Sequence, residues 1–337
     1  MCIRDRPGKP PYQGYPQFRS PDELALALRL AGFDMLVTSN NHSNDAGKLG
    51  VINTINTVKD YGFYQTGTFR NMEERELFYP LIVYKNDFKI AFLNYTYGTN
   101  SLKTQPPTFV NYIDEELMEK DMALARQLEP DAIIVITHWG KEYKLLESKK
   151  QKKIAQKLFK WGADLIIGMH PHVVQPIRKM KIAQEDGTMK DGLVTYSLGN
   201  FISNQKKLNT DGGLMFEISL LKNKKTNEVT LGEHHYIPVW RYVYQESKKK
   251  RTYFTVPIAA FEKGNESWLG MDEKNKNAMK AFAKTTRNHM NQFDSEERKI
   301  TLEELGDVPK LKLPKKEKPK KEKKKEEPKP QVQEGNK

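Results

Sequence analysis

The chain has 337 residues, 37% of them apolar, which suits one large domain or two small ones with a buried core. Its one cysteine, Cys2, excludes an internal disulfide and a thiolate zinc cluster, and no run approaches the roughly 18 apolar residues of a membrane span. The formal net charge of +13 is uneven: residues 310–337 hold twelve Lys and five Glu, which leaves only +6 for the rest, so the body lacks the basic signature of a nucleic-acid binder.

Residues 1–20 carry no apolar period, and MCIRDR resembles translated adaptor sequence. We expect an irregular or artefactual start there and a missing native N-terminal segment. Ser20, Pro21, Asp22 and Glu23 read as an N-cap, a first-turn proline and acids favoured by the helix dipole, before LALALRL. FDMLVT (33–38) is then a short buried strand that empties into the polar loop SNNHSNDAGKLG, followed by the amphipathic stretch VINTINTVKDYG. FKIAFLNYTYG reads as a strand, IDEELMEKDMALARQL as a helix, DAIIVITHWG as a strand, KKQKKIAQKLFKWG as a helix, and ADLIIGMHPHV as a strand. Beyond them LVTYSLGNFIS, GLMFEISLL and EVTLGEHHYIPVWRYVY look like strands separated by turns. The pattern predicts one α/β domain over 21–308, and a disordered tail rich in Lys, Glu and Pro over 309–337.

Four polar clusters stand where apolar strands stop: Asn40-Asn41-His42, His138-Trp139-Gly140, His170-Pro171-His172 and Ser197-Leu198-Gly199-Asn200. Ligands of open α/β sheets bind along that edge, so residues distant in sequence can converge there. Proline disfavours helix at its predecessor, so the reading of HPH is extended backbone with both rings on one side. Asn41, His138, His170 and His172 form a nitrogen-and-oxygen donor set without sulfur, suited to Zn, Fe or Mn. Each cluster also has a plainer reading: a buried hydrogen-bonded histidine for His138, turn chemistry for Asn40 and Asn41, packing for Ser197. His234, His235 and His289 read as ordinary surface or strand histidines.

The ordered motifs AGFDMLVTSNNHSNDAGKLG, VITHWGKEY, GADLIIGMHPHVVQP and YSLGNFIS resemble those of the CapA family of poly-γ-glutamate capsule synthesis proteins, relatives of calcineurin-like metallophosphoesterases. The resemblance implies a four-layer α/β/β/α sandwich, here lacking its first strand-helix units, with a dinuclear centre of divalent transition metal between two sheets. It implies that Asn41, His138 and His170 share one metal, that His172 belongs to the other, that His42 is the general acid, and that Glu142 and Asn200 line the cleft. The family's Gly-Asp strand and Asn-Leu-Glu motif, which carry acidic ligands, do not occur before Pro21. Truncation is the expected reason, with an impaired site as its consequence.

Two functions follow. One is a metal-dependent phosphoesterase-like or amide-hydrolase-like protein acting in the making or export of an anionic capsule polymer such as poly-γ-glutamate. The other is a non-catalytic accessory factor that binds the polymer for the subunits of a membrane synthase, helped by Lys-rich surface at 247–252. An amidohydrolase barrel also uses HxH but places it after its first strand, and nucleic acid is not an expected partner. By resemblance the full-length protein works outside the cytoplasm or anchored to the membrane.

Overall fold

The computed structural model describes residues 11–183, 187–247, 250–262 and 264–306. The tail read as disordered lies outside these residues, and so does Cys2. The first helix, α1 (Glu23–Leu30), starts later than its sequence suggests. Asp22 takes the N-cap place that Ser20 was expected to fill, without capping through its side chain, because its carboxylate accepts a hydrogen bond from Thr57 at 3.0 Å. Leu28 of α1 and Val58 of α2 (Gly47–Asp60) pack on Leu36 of β1 (Met35–Val37), which pairs in parallel with β2 (Tyr64–Thr66).

β3 (Thr68–Phe69) then leads into α3 (Met72–Phe78), capped by the Asn71 side chain on Glu74 N. Buried Glu74 accepts hydrogen bonds from Lys59 at 2.7 Å and Arg70 at 2.7 Å, tying α3 to α2. Burial alone would raise this carboxyl, but the bonds from Arg70 and Lys59 outweigh it and bring it down to about 2. A depressed folded pKa contributes stability that is complete above the unfolded value near 4.3 and is lost as pH falls towards 2. Glu74→Gln is therefore expected to cost about 1–2 kcal/mol at pH 7, and to flatten the acid limb of the stability curve between about pH 4 and 2. Denaturant titrations across that range check both.

The main sheet has six strands: β4 (Leu81–Lys85), β5 (Phe88–Thr96), β7 (Ala132–His138), β8 (Leu165–Met169), β10 (Met189–Thr195) and β9 (Ile177–Ala183), in that spatial order. β5, β7, β8 and β10 run parallel, with antiparallel β4 and β9 at the edges. The short β6 (Phe109–Val110) pairs with β3. Strands buried on both faces read as continuous apolar runs, which is why AIIVI was legible as one. Ile133, Val135 and Ile166 pack under Met118 and Met122 of α4 (Glu115–Gln127) and Ile154 and Leu158 of α5 (Lys149–Lys160).

A second sheet joins β11 (Gly212–Lys222), β12 (Val229–Gln245) and β13 (Arg251–Pro257), with β14 (Glu296–Glu297) beside β12. Ile134, Ile136 and Leu165 of the first sheet share a core with Leu214 and Tyr236 of the second. Trp240 and Val256 pack in turn with α6 (Ile258–Phe261) and α7 (Glu273–Met290) through Phe261, Met279 and Phe282. Helices, sheet, sheet and helices thus succeed one another, the α/β/β/α arrangement expected. The strand-dominated reading of the last third missed α7, whose apolar positions Met279, Phe282 and Met290 are diluted by lysines. His289 consequently lies on a helix, half-buried rather than on a strand, and burial lowers its pKa.

Candidate metal centre

The polar loop after β1 is built by its own side chains. Ser39 donates its backbone N–H to Asn94 Oδ1 at 2.8 Å and its hydroxyl to the Asn111 carbonyl at 2.8 Å. Asn94 also donates to the Ile136 carbonyl at 3.1 Å, which fastens the loop to β7. Gly67 sits behind it with φ +107, where a Cβ would lie 2.1 Å from Asn94 Oδ1, so only glycine admits this approach. The two asparagines divide their work. Asn40 Oδ1 accepts the His42 N–H at 2.8 Å, a side-chain turn, whereas Asn41 Oδ1 meets His138 Nε2 at 2.9 Å across 97 residues.

His138 closes β7 on the same side as Ile134 and Ile136, at the rim of the core between the sheets. Its ring centroid lies 4.8 Å from that of His170, and Tyr97 covers both at 6.4 and 4.5 Å. His170 follows β8, yet the backbone is not extended there. His170 has φ 102 and His172 φ 63, so the chain turns sharply at each histidine; such strained positions persist where surroundings hold them, commonly at functional sites. His172 nonetheless stays near: its Nδ1 lies 3.0 Å from Asn200 Oδ1, its Nε2 3.8 Å from Glu142, and its ring 5.9 Å from that of His170.

The donor set suits a metal. His170 Nδ1 is buried without a hydrogen-bond partner among the described residues, although a buried polar atom normally has one. Burial brings this imidazole down to about 4, with charge on His172 and His42 acting alike and Glu142 opposing, so at neutral pH the ring is uncharged and keeps a lone pair. Asn41 Oδ1 and His138 Nε2, 2.9 Å apart in a hydrogen bond, are also close to the ~3 Å spacing of neighbouring ligands around a six-coordinate ion bound at about 2.1 Å. Glu142, His170 and His172 form a second grouping whose ligand atoms all lie within 4.8 Å of one another.

His42 stands beside this cluster with its Nδ1 2.8 Å from Asp45 Oδ2, which also accepts the Phe18 N–H at 2.7 Å; the Phe18 ring meets His42 edge-on at 4.7 Å. Asn100 bridges the loop, accepting from Asn41 at 3.2 Å and lying 3.4 Å from His42 Nδ1. Asp45, Tyr97, Asn100 and Phe18 were not found from sequence. Only Asp45, three residues after His42, left a local signal. Ser197 accepts the Gly199 N–H at 3.2 Å, in keeping with a turn. His234 and His235 lie on β12 of the second sheet, where His234 Nε2 meets the Asp294 carbonyl at 2.7 Å.

Residues 4–205 match the family described as bacterial capsule synthesis protein PGA_cap. The chain belongs to this capsule synthesis family. Among curated proteins, the capsule biosynthesis protein CapA of Bacillus anthracis is 30% identical over 211 residues, covering 60% of this chain and 48% of that protein. The PGA biosynthesis protein CapA of Bacillus subtilis (strain 168) is 28% identical over 207 residues, covering 60% and 50%. The chain thus spans about half the length of these relatives. All four polar clusters, and with them every candidate ligand, fall inside the region matched to the capsule synthesis family. No helix among the described residues is long and apolar enough to cross a membrane.

Proposed function

We propose that this capsule synthesis protein acts on an anionic capsule polymer, poly-γ-glutamate, through a metal-dependent hydrolase-like site at the cell surface. The observation that carries the reading is the unpartnered, buried Nδ1 of His170 beside His138 and Asn41, a nitrogen-and-oxygen donor set at the rim of the inter-sheet core. Asn41, His138 and His170 would hold one divalent ion, Mn, Fe or Zn, and His172 with Glu142 would contribute to a second. A bound ion there would polarise a phosphoryl or acyl oxygen and lower the pKa of a water.

The protein's own residues supply the rest. His42 is the general acid. Asp45 accepts a hydrogen bond from Nδ1–H and so orients the ring; in the imidazolium form Nε2–H then delivers its proton to the leaving group and the ring returns to the neutral Nδ1–H tautomer. Phe18 keeps water from one edge of the imidazole. Asn200 orients His172.

His42→Ala is expected to lower turnover of a chromogenic phosphodiester or a γ-glutamyl oligomer by about 100-fold or more, with metal content near that of wild type. Turnover unchanged in the variant removes His42 from the chemistry. Salt-dependent binding of polyglutamate without cleavage by the wild type replaces the hydrolase with a polymer-binding accessory.

A further inference from the structure

The segment after Asn200 carries Lys207, whose Nζ lies 3.7 Å from the centre of the Tyr143 ring. Tyr143 itself stacks against His172 at 5.9 Å and an interplanar angle of 23°, and its N–H donates to the Pro171 carbonyl at 2.8 Å. The other side of the circuit is equally fixed. Asn200 pairs through Oδ1 with His172 and donates through Nδ2 to the Thr210 carbonyl at 2.8 Å, while Thr210 donates its N–H and its hydroxyl to the Lys207 carbonyl at 3.2 and 2.6 Å. His172, Asn200, Thr210, Lys207 and Tyr143 therefore close a ring of contacts, which enters Lys207 at its backbone carbonyl and leaves through its ammonium.

Lys59, Lys157 and Lys222 also lie over aromatic rings, but each of them has a carboxylate partner. Ammonium groups of mobile surface lysines are placed by solvent, whereas that of Lys207 is held on an aromatic face, and among the described residues no carboxylate forms an ion pair with it. An ammonium seated on a ring that stacks against His172, with no carboxylate in ion-pair range among the described residues, is suited to receive an oxyanion.

We propose that Lys207 is a specificity-determining residue that takes an anionic oxygen group of the substrate, a carboxylate or a phosphate, beside His172. The inference deepens the function proposed above, and it names the chemistry that selects the ligand. It also places recognition at a lysine the sequence did not single out, rather than at the Lys-rich stretch 247–252.

Titration calorimetry on the full chain tests it, with an oligo-γ-glutamate, an uncharged oligo-γ-glutamine and inorganic phosphate as probes. Lys207→Gln is expected to weaken binding of the anionic probe about 5- to 10-fold, Lys207→Arg to retain most of it, and both to keep the wild-type metal content and melting temperature. Oligo-γ-glutamine should be indifferent to the change. If Lys207→Gln binds the anions as wild type does, or if wild type binds neither anion, the proposal is overturned. Lys207-dependent binding of phosphate without binding of the glutamate oligomer keeps the anion site and removes the polymer assigned above.

Discussion

His170→Ala should reduce affinity for a divalent transition metal by at least about 100-fold, while the protein still folds. The effect is expected to be large because His170 offers a nitrogen already dehydrated and unpartnered, so the folded protein has met the cost of burying the donor without the return of a bond. Removing the ring also leaves a cavity below Tyr97, which adds a stability loss of about 1–3 kcal/mol that a chemical denaturation curve will separate from the metal effect. His138→Ala should behave alike and remove the contact between His138 and Asn41 Oδ1. His235→Ala, on β12, is the control and should leave affinity unchanged. Equal metal affinity in wild type and His170→Ala would remove His170 as a ligand.

Gly168→Ala should be the most damaging small substitution in the site's support. A Cβ at this position would stand 2.1 Å from the Tyr196 carbonyl oxygen and 2.6 Å from Trp139 Nε1. Those two atoms bond each other at 3.0 Å, and Gly168 O accepts the Leu198 N–H at 3.2 Å, so neither neighbour can withdraw without breaking the junction of β7, β8 and β10. The expected loss is about 3 kcal/mol or more, with metal affinity falling as well because His170 is only two residues on. Gly98→Ala, where a Cβ meets nothing within 4 Å, should change stability by no more than about 0.5 kcal/mol. Thermal and denaturant unfolding of the three proteins decides the matter; a fully stable Gly168→Ala would mean that the strand junction is looser than its close approaches indicate.

The sequence made the strand ends legible because a parallel strand buried on both faces has to stop being apolar where it leaves the sheet. His138 and the HPH triplet stand at those stops, and Asn41 follows another in the separate β1 and β2 pair. The geometry of the triplet was not legible. Proline's preference argued for extended backbone, but the turn into β9 and the contacts of both rings impose positive φ at His170 and His172. Nor could periodicity single out Tyr97 or Asn94, since each earns its place through partners supplied by other strands and loops. The asparagine pair shows the same limit at close range. Asn40 and Asn41 have one side chain and one set of propensities, and only the fold assigns the first to the turn and the second to His138.

The most direct measurement is anomalous X-ray scattering from crystals of the protein equilibrated with Mn²⁺ or Zn²⁺, recorded at the metal's absorption edge. The account predicts a peak within coordinating distance of His170 Nδ1, His138 Nε2 and Asn41 Oδ1, absent from His170→Ala crystals treated in the same way. A peak elsewhere, or none at saturating metal, would contradict the assignment of this cluster as the metal centre.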